Sequence, residues 1–285
     1  MSAGTTSIRD ILYEAPGPKT RRWIAVGTVV SLLALAALLF LVLRQFYIMG
    51  QLSGKYWKLF TQYSTWRLLG QGLAGTLKAA LSASILVFLL GMLLMLGRIS
   101  RFSLLQGICT ALIEFSRGVP TLLFIYFFFL VVPQVGVKLS AFWKITAPVA
   151  ISAAGMVAEV LRSGVNAVPK GQREAAVSLG MGEGSVFFKI IFPQAFRSVI
   201  PALISEIVIV LKDTTFAYVV NYADLMQNAK VLISNHDALL SVYLVVAVIY
   251  ILINYLLNKA SVAAARRTNA GAVSTRQCGK EKCTL

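Results

Sequence analysis

Seven charged residues stand inside or at the ends of apolar stretches: Glu114, Arg117, Glu159, Arg162, Glu206, Lys212 and Asp213. A charge at membrane depth is costly, so such residues pair with one another or line a path for a polar solute. Glu114 and Arg117 are three residues apart, as are Glu159 and Arg162, and residues at that spacing share a helix face. Pairing and path-lining are both open to them, and to Lys212 and Asp213 near a helix end. No catalytic constellation accompanies them. The chain has no G-x-x-x-x-G-K-[ST] phosphate cradle and no G-x-S-x-G or H-E-x-x-H pattern. Gly70-Gln71-Gly72-Leu73-Ala74-Gly75 spells G-x-G-x-x-G, but the dinucleotide fingerprint needs a strand before it. Here the run opens a membrane helix, where small residues let helices approach closely.

The elements that must position these charges are membrane helices. Of the 285 residues, 58% are hydrophobic and 13% charged, and the mean hydropathy is +0.76. Strand-type alternation is missing, which argues against a membrane barrel. The expected fold is all-α and polytopic, with about six transmembrane helices, since a span takes roughly 20 apolar residues. The spans are expected at 23–43, about 73–96, from near Leu104 through 121–132, about 142–161, from Val199 to Leu211, and 239–257. Pro120 is expected to kink the third. The first could also be read as a signal peptide, but its apolar core is too long and Arg44-Gln45-Phe46-Tyr47 offers no small-residue cleavage site. Tyr47, Tyr56, Trp57, Tyr63 and Trp66 suit an interfacial segment beside it.

The formal charge of +16 would suggest nucleic acid in a soluble protein. Here the basic residues flank the spans, and no nucleic acid is expected as a partner. Most of the 27 Lys and Arg fall on one side if both termini are cytoplasmic, as the positive-inside bias requires. Cys109 is expected to be packed, Cys278 and Cys283 to lie reduced in a cytoplasmic tail, and no metal site is expected.

One hydrophilic island remains, carrying Arg162, Lys170, Arg173, Lys189 and Arg197. Within it run Glu174-Ala175-Ala176, three residues, Gly180, nine residues, Ile190 and, three later, Pro193. Helix formers over 173–179 predict two turns ending at Gly180, which takes positive φ freely. Gly182 and Gly184 extend that freedom, and Ser185 is the expected cap of a second short helix through Ile191. Two short helices broken at a glycine suit docking onto a soluble partner, with Met181, Val186 and Phe187 for contacts between them or to that partner.

This run resembles the EAA loop of ATP-binding-cassette importer permeases, whose pattern is Glu-Ala-Ala-x3-Gly-x9-Ile-x-Leu-Pro. Only the leucine differs, and Phe192 keeps that place apolar. Three further stretches are similar to permeases of the histidine/glutamate/glutamine/arginine group: Arg117-Gly118-Val119-Pro120, Glu159 through Arg162-Ser163-Gly164 to Gly171-Gln172, and Leu211-Lys212-Asp213-Thr214-Thr215. The resemblance covers about 70–258 and is strongest to glutamate-type permeases.

It implies a core of five helices of the type I importer kind at 70–258, with the coupling loop at 169–197. To this are added a cytoplasmic tail at 1–22, an extra helix and external segment at 23–69, and a basic cytoplasmic tail at 259–285. It implies that the loop enters a cleft on an ATPase through Glu174, Ala175, Ala176, Gly180, Ile190 and Pro193. Arg117, Glu159, Arg162, Lys212 and Asp213 would border a midplane path for a zwitterionic amino acid. The chain itself would bind no cofactor, ATP and Mg being used by a pair of ATPase subunits. A second permease copy or a homologous permease and an extracytoplasmic amino-acid-binding protein would complete an importer of the bacterial inner membrane. Glutamate or aspartate is the expected cargo, with glutamine, arginine or histidine as alternatives. An ion-coupled transporter using Glu114, Glu159 and Glu206 as relays is the reading from another class.

Overall fold

The computed structural model describes residues 17–281, the side chains of 264–281 excepted. No strand occurs among the described residues. Among the described residues, five helices are long and apolar enough to cross a membrane, and a sharply bent pair makes a sixth if taken as one span. The chain divides into two units at Trp57 and Lys58.

The first unit is dominated by α1, Pro18–Ile48, 31 residues with none buried. At about 1.5 Å per residue this exceeds the roughly 30 Å of hydrocarbon. Proline at its start suits the helical φ and leaves no donor wasted. A single turn at Gly54–Trp57 follows.

The second unit opens with α2, Tyr63–Arg98. It starts ten residues before the expected Leu73, because Tyr63 to Gly72 continue the helix beyond its apolar stretch. α3, Ser103–Gly118, leads to α4, Thr121–Tyr126. Here the expected kink is a full break: Ser103–Gly118 and Thr121–Val135 are bent by 99°. Val119 lies between them in extended conformation, at φ −98 and ψ 126. Proline δ-carbon crowding drives the preceding residue out of the helical region, and Pro120 does so here. The same rule ends α5, Ala141–Ala167, at Val168 before Pro169.

Two other prolines stand just beyond widened turns. Phe127–Val131 and Phe187–Ile191 are π turns, closed by the N–H of Val132 and of Phe192 reaching back five positions to the Phe127 and Phe187 carbonyls. Pro133 and Pro193 follow directly. A proline cannot donate to the carbonyl four back and clashes with it, so the turn opens around that point.

After α5 come α6, Lys170–Ser178, and α7, Glu183–Val186. α8, Phe192–Asp213, runs on into a tight turn at Thr214–Val220. α9, Leu225–His236, has no counterpart among the expected spans, since its mixed polar sequence carries no span signal. α10 spans Leu239–Glu281 and so continues past the apolar stretch into the polar tail.

α2 packs along α5, α5 against α8, and α8 against α10. The seams use small residues, as close helix approach in a membrane requires. A Cβ on Gly155 would meet the Ile113 carbonyl at 2.9 Å and collide with the Ser116 hydroxyl. Gly72 and Gly75 of the G-x-G-x-x-G run face the α9 entry, where a Cβ on Gly72 would lie 2.8 Å from the Asp224 carbonyl. Leu225 N–H donates to Thr76 Oγ1 at 3.0 Å and Asn228 Nδ2 to the Leu68 carbonyl at 2.8 Å, fastening α9 to α2. Cys109 is buried and unpaired; the tail residue Cys283 lies outside the described residues.

Candidate functional site

The loop between α5 and α8 has the form that its glycine predicts. α6 ends at Ser178, and Gly180 takes φ +78. Gly180 N–H donates to the Val177 carbonyl at 2.9 Å and Met181 N–H to the Ala176 carbonyl at 3.2 Å. This pair of reversed bonds is a Schellman cap, which satisfies carbonyls left open at the helix end. The apolar contact that accompanies such caps is present: Ala176 is buried with Val186 and Ile191, and Met181 and Ile190 pack on them.

Two details of the loop differ from expectation. Ser185 is not the cap of the second helix; α7 begins two residues earlier at Glu183, preceded by Gly182. Val186 N–H already reaches the Gly182 carbonyl at 3.0 Å, so the turn closes before Ser185 could cap it. Gly182 and Gly184 also need no positive φ. Their value is small size on an exposed turn.

The six loop residues divide by role. Ala176 and Ile190 hold the two helices together, and Gly180 makes the corner. Glu174, Ala175 and Pro193 are exposed. Glu174 makes no ion pair among the described residues. Beside them Leu179 is 84% exposed and Phe188 60% exposed. The loop therefore presents apolar side chains on a polar surface, an arrangement suited to a protein partner.

Of the five expected path residues, three come together. Glu159 on α5 receives Arg162 at 2.8 Å, Arg98 from the last turn of α2, and Arg117 at 3.9 Å from the end of α3. Glu114 joins at the edge, 3.8 Å from Arg117 and 3.9 Å from Arg98. Both i, i+3 pairs therefore exist, merged into one cluster. Arg98 was missed because it reads as an ordinary basic residue at a span end; only the parallel packing of α2 on α5 brings it to Glu159.

Lys212 and Asp213 lie apart from that cluster and point in different directions. Asp213 Oδ2 accepts from Thr121 Oγ1 at 2.9 Å, and Thr121 also bonds Ser152 at 2.9 Å. Lys212 is exposed and lines a shallow pocket with Ser205, Ile209, Asn254, Tyr255 and Asn258. It has no ion pair among the described residues. Arg117 and Thr121 thus flank the α3–α4 break, one held by carboxylates, the other holding one.

Residues 87–269 match the family described as "Binding-protein-dependent transport system inner membrane component". The chain belongs to this family. The match covers most of the second unit, from within α2 into α10, and contains both the loop and the charged cluster. As a transport component the chain is not an enzyme. It is similar to the glutamate transport system permease protein GluD of Corynebacterium glutamicum, at 35% identity over 78% of this chain and 83% of that one. It is also similar to the probable glutamine ABC transporter permease protein GlnP of Bacillus subtilis, at 32% identity over 68% of this chain and 90% of the relative. Among solved structures, a chain of an amino acid ABC transporter crystallised with histidines superposes with a TM-score of 0.69 and 30% identity. That superposition covers 73% of this chain and 98% of the other. Like these permeases, this transport component is a multi-pass helical membrane protein.

Proposed function

We propose that this transport component is the permease of an ATP-driven importer for a polar amino acid, glutamate or aspartate foremost. The single observation that carries the coupling part is the Schellman corner at Gly180, which holds Glu174, Ala175, Leu179 and Phe188 on the outside of the loop. An exposed, pre-organised apolar face loses little freedom on docking. A pair of ATPase subunits binds there, uses ATP and Mg, and moves the loop; the chain itself holds no cofactor. Differential binding of the loop by open and closed ATPases is what shifts the permease between its states.

Transport needs a second permease, a copy of this chain or a homologue, and a binding protein delivering from outside the inner membrane. Both termini and the loop then face the cytoplasm. The names of the relatives, glutamate for one and glutamine for another, support an amino acid as cargo. Lys212, without an acidic partner among the described residues, is the cation available to an acidic side chain or α-carboxylate. Arg117, Glu159, Arg162 and Asp213 lie outside the Lys212 pocket and are held by one another or by Thr121.

The test is uptake by vesicles carrying the complete transporter, with labelled glutamate and an excess of unlabelled aspartate, glutamine, arginine or histidine as competitors. Uptake that needs ATP and is suppressed by aspartate supports the reading. Uptake driven by an ion gradient without ATP overturns it in favour of an ion-coupled carrier, and competition by arginine alone moves the cargo to a cationic amino acid.

A further inference from the structure

The coupling loop is tied to the core at its two flanks, where α5 leads into α6 and where α7 leads on to α8. A third tie does not follow from sequence adjacency. Glu183, the first residue of α7, pairs with Arg173 of α6 at 3.4 Å and with Arg101, which lies in the short turn between α2 and α3. One carboxylate joins both helices of the loop to a turn far earlier in the chain. Three residues before Arg101, Arg98 closes α2 and pairs with Glu159. Glu159 is held in turn by Arg162 and by Arg117, two residues short of Val119, where the chain breaks.

We propose that Glu183 is a positioning residue that clasps the coupling loop to the α2–α3 turn. A shift of the loop then reaches the α3–α4 break through Arg101, Arg98, Glu159 and Arg117. This rests on the coupling reading above.

The two ends of the route differ in stiffness. Glu183 and Arg101 are exposed, and exposed ion pairs are weak and readily exchanged for water. A weak clasp suits an element that must release in one state and re-form in another. Glu159 is mostly withdrawn from solvent and engaged by three arginines, and taking one partner from such a carboxylate is strongly unfavourable. Motion delivered at Arg101 therefore meets a node that moves as a body. Charge also argues for the clasp. Without the Glu183 carboxylate, Arg101 and Arg173 lose the counter-charge they share, with Lys170 and Lys189 in the same loop. Neutralising Glu183 then removes the clasp's one attractive charge.

The experiment uses the complete transporter in liposomes. Variants are Glu183→Gln, Glu183→Arg, Arg101→Glu and the double charge exchange of the last two. Three quantities are read: ATPase subunit recovered with the tagged chain, substrate moved, and ATP hydrolysed. Expected for Glu183→Gln is an ATPase recovery equal to wild type, with substrate moved per ATP down on the order of fivefold, as for loss of an exposed ion-pair contact. Expected for the double exchange is a partial recovery over either single exchange, because the pair at positions 101 and 183 is restored with its signs reversed while the contact with Arg173 is lost. An unchanged ratio in Glu183→Gln, or a double variant no better than its parents, overturns the clasp. Loss of the ATPase from Glu183→Gln also overturns it, since Glu183 would then be a docking contact. A wild-type chain that brings down no ATPase overturns the coupling reading itself, a result recognisable before any variant is made.

Discussion

Thr121 donates to Asp213 at 2.9 Å, joining the start of α4 to the last residue of α8. The contact lies immediately beyond the proline break, so the bend that separates α3 from α4 also delivers a hydroxyl to an acid from another span. Thr121→Val keeps the shape and removes the donor. We expect a stability loss of about 1–3 kcal/mol, the range for depriving a partly buried acceptor of its partner. Thermal unfolding of the purified chain measures it, with Thr121→Ser expected to match wild type.

Close packing at Gly155 gives a second expectation. Gly155→Ala pushes a methyl into Ser116 and the Ile113 carbonyl, so α3 must move off α5. Overpacking of this kind costs about 1–3 kcal/mol. Gly107 on α3 has nothing within 4 Å of a built Cβ, and Gly107→Ala should leave the melting temperature at or above wild type.

The corner of the coupling loop tests backbone conformation alone. Space around Gly180 is open, so only its φ of +78 resists a side chain. Gly180→Leu should cost about 1–2 kcal/mol of local strain and unwind the Schellman cap. The chain should insert in the membrane as before but lose its ATPase. Gly180→Asn, which tolerates the left-handed region, should retain it. Co-purification of the ATPase with each variant gives the answer.

Much of the site is legible in the chain, and the reasons are local. Gly180 announces its turn because few residues tolerate positive φ. Pro120 announces a bend, which the structure makes a full break, because it restricts the residue before it. What escapes is long-range. Nothing in the spacing of Arg98 or Glu183 tells which acid or base will meet it, since that depends on which helices lie side by side. The 99° bend is likewise a property of what α3 and α4 pack against, beyond the proline that permits it. α9 was hidden for a different reason: its buried face answers to α2 and not to the membrane.

Acid dependence should come from Asp224, which caps α9 by accepting from Gln227 N–H at 2.7 Å. Its side chain is buried and Oδ2 has no hydrogen-bond partner among the described residues. Burial pushes its carboxyl up to about 6, against the backbone N–H bonds that favour the charged form. An ordinary aspartate ionises near pH 4, so between about pH 4 and 6 the folded chain holds a proton that the unfolded chain has lost. Stability contributed by this group is therefore highest at the acid end and falls as pH rises through that window, by about 3 kcal/mol in all. Asp224→Asn should remove this slope. Melting temperatures of wild type and variant should converge near pH 4 and separate in the variant's favour above pH 6; parallel profiles would contradict the assignment.

The central claim is that an ATPase docks on the loop cornered by Gly180. The most direct measurement is a pull-down of the tagged full chain from its native membrane in mild detergent, with mass spectrometry of what accompanies it. Recovery of a P-loop ATPase in near-equal amount, its loss with Gly180→Leu and its return with Gly180→Asn are the results expected. A chain recovered reproducibly alone, under conditions that hold a known importer together, would contradict the claim.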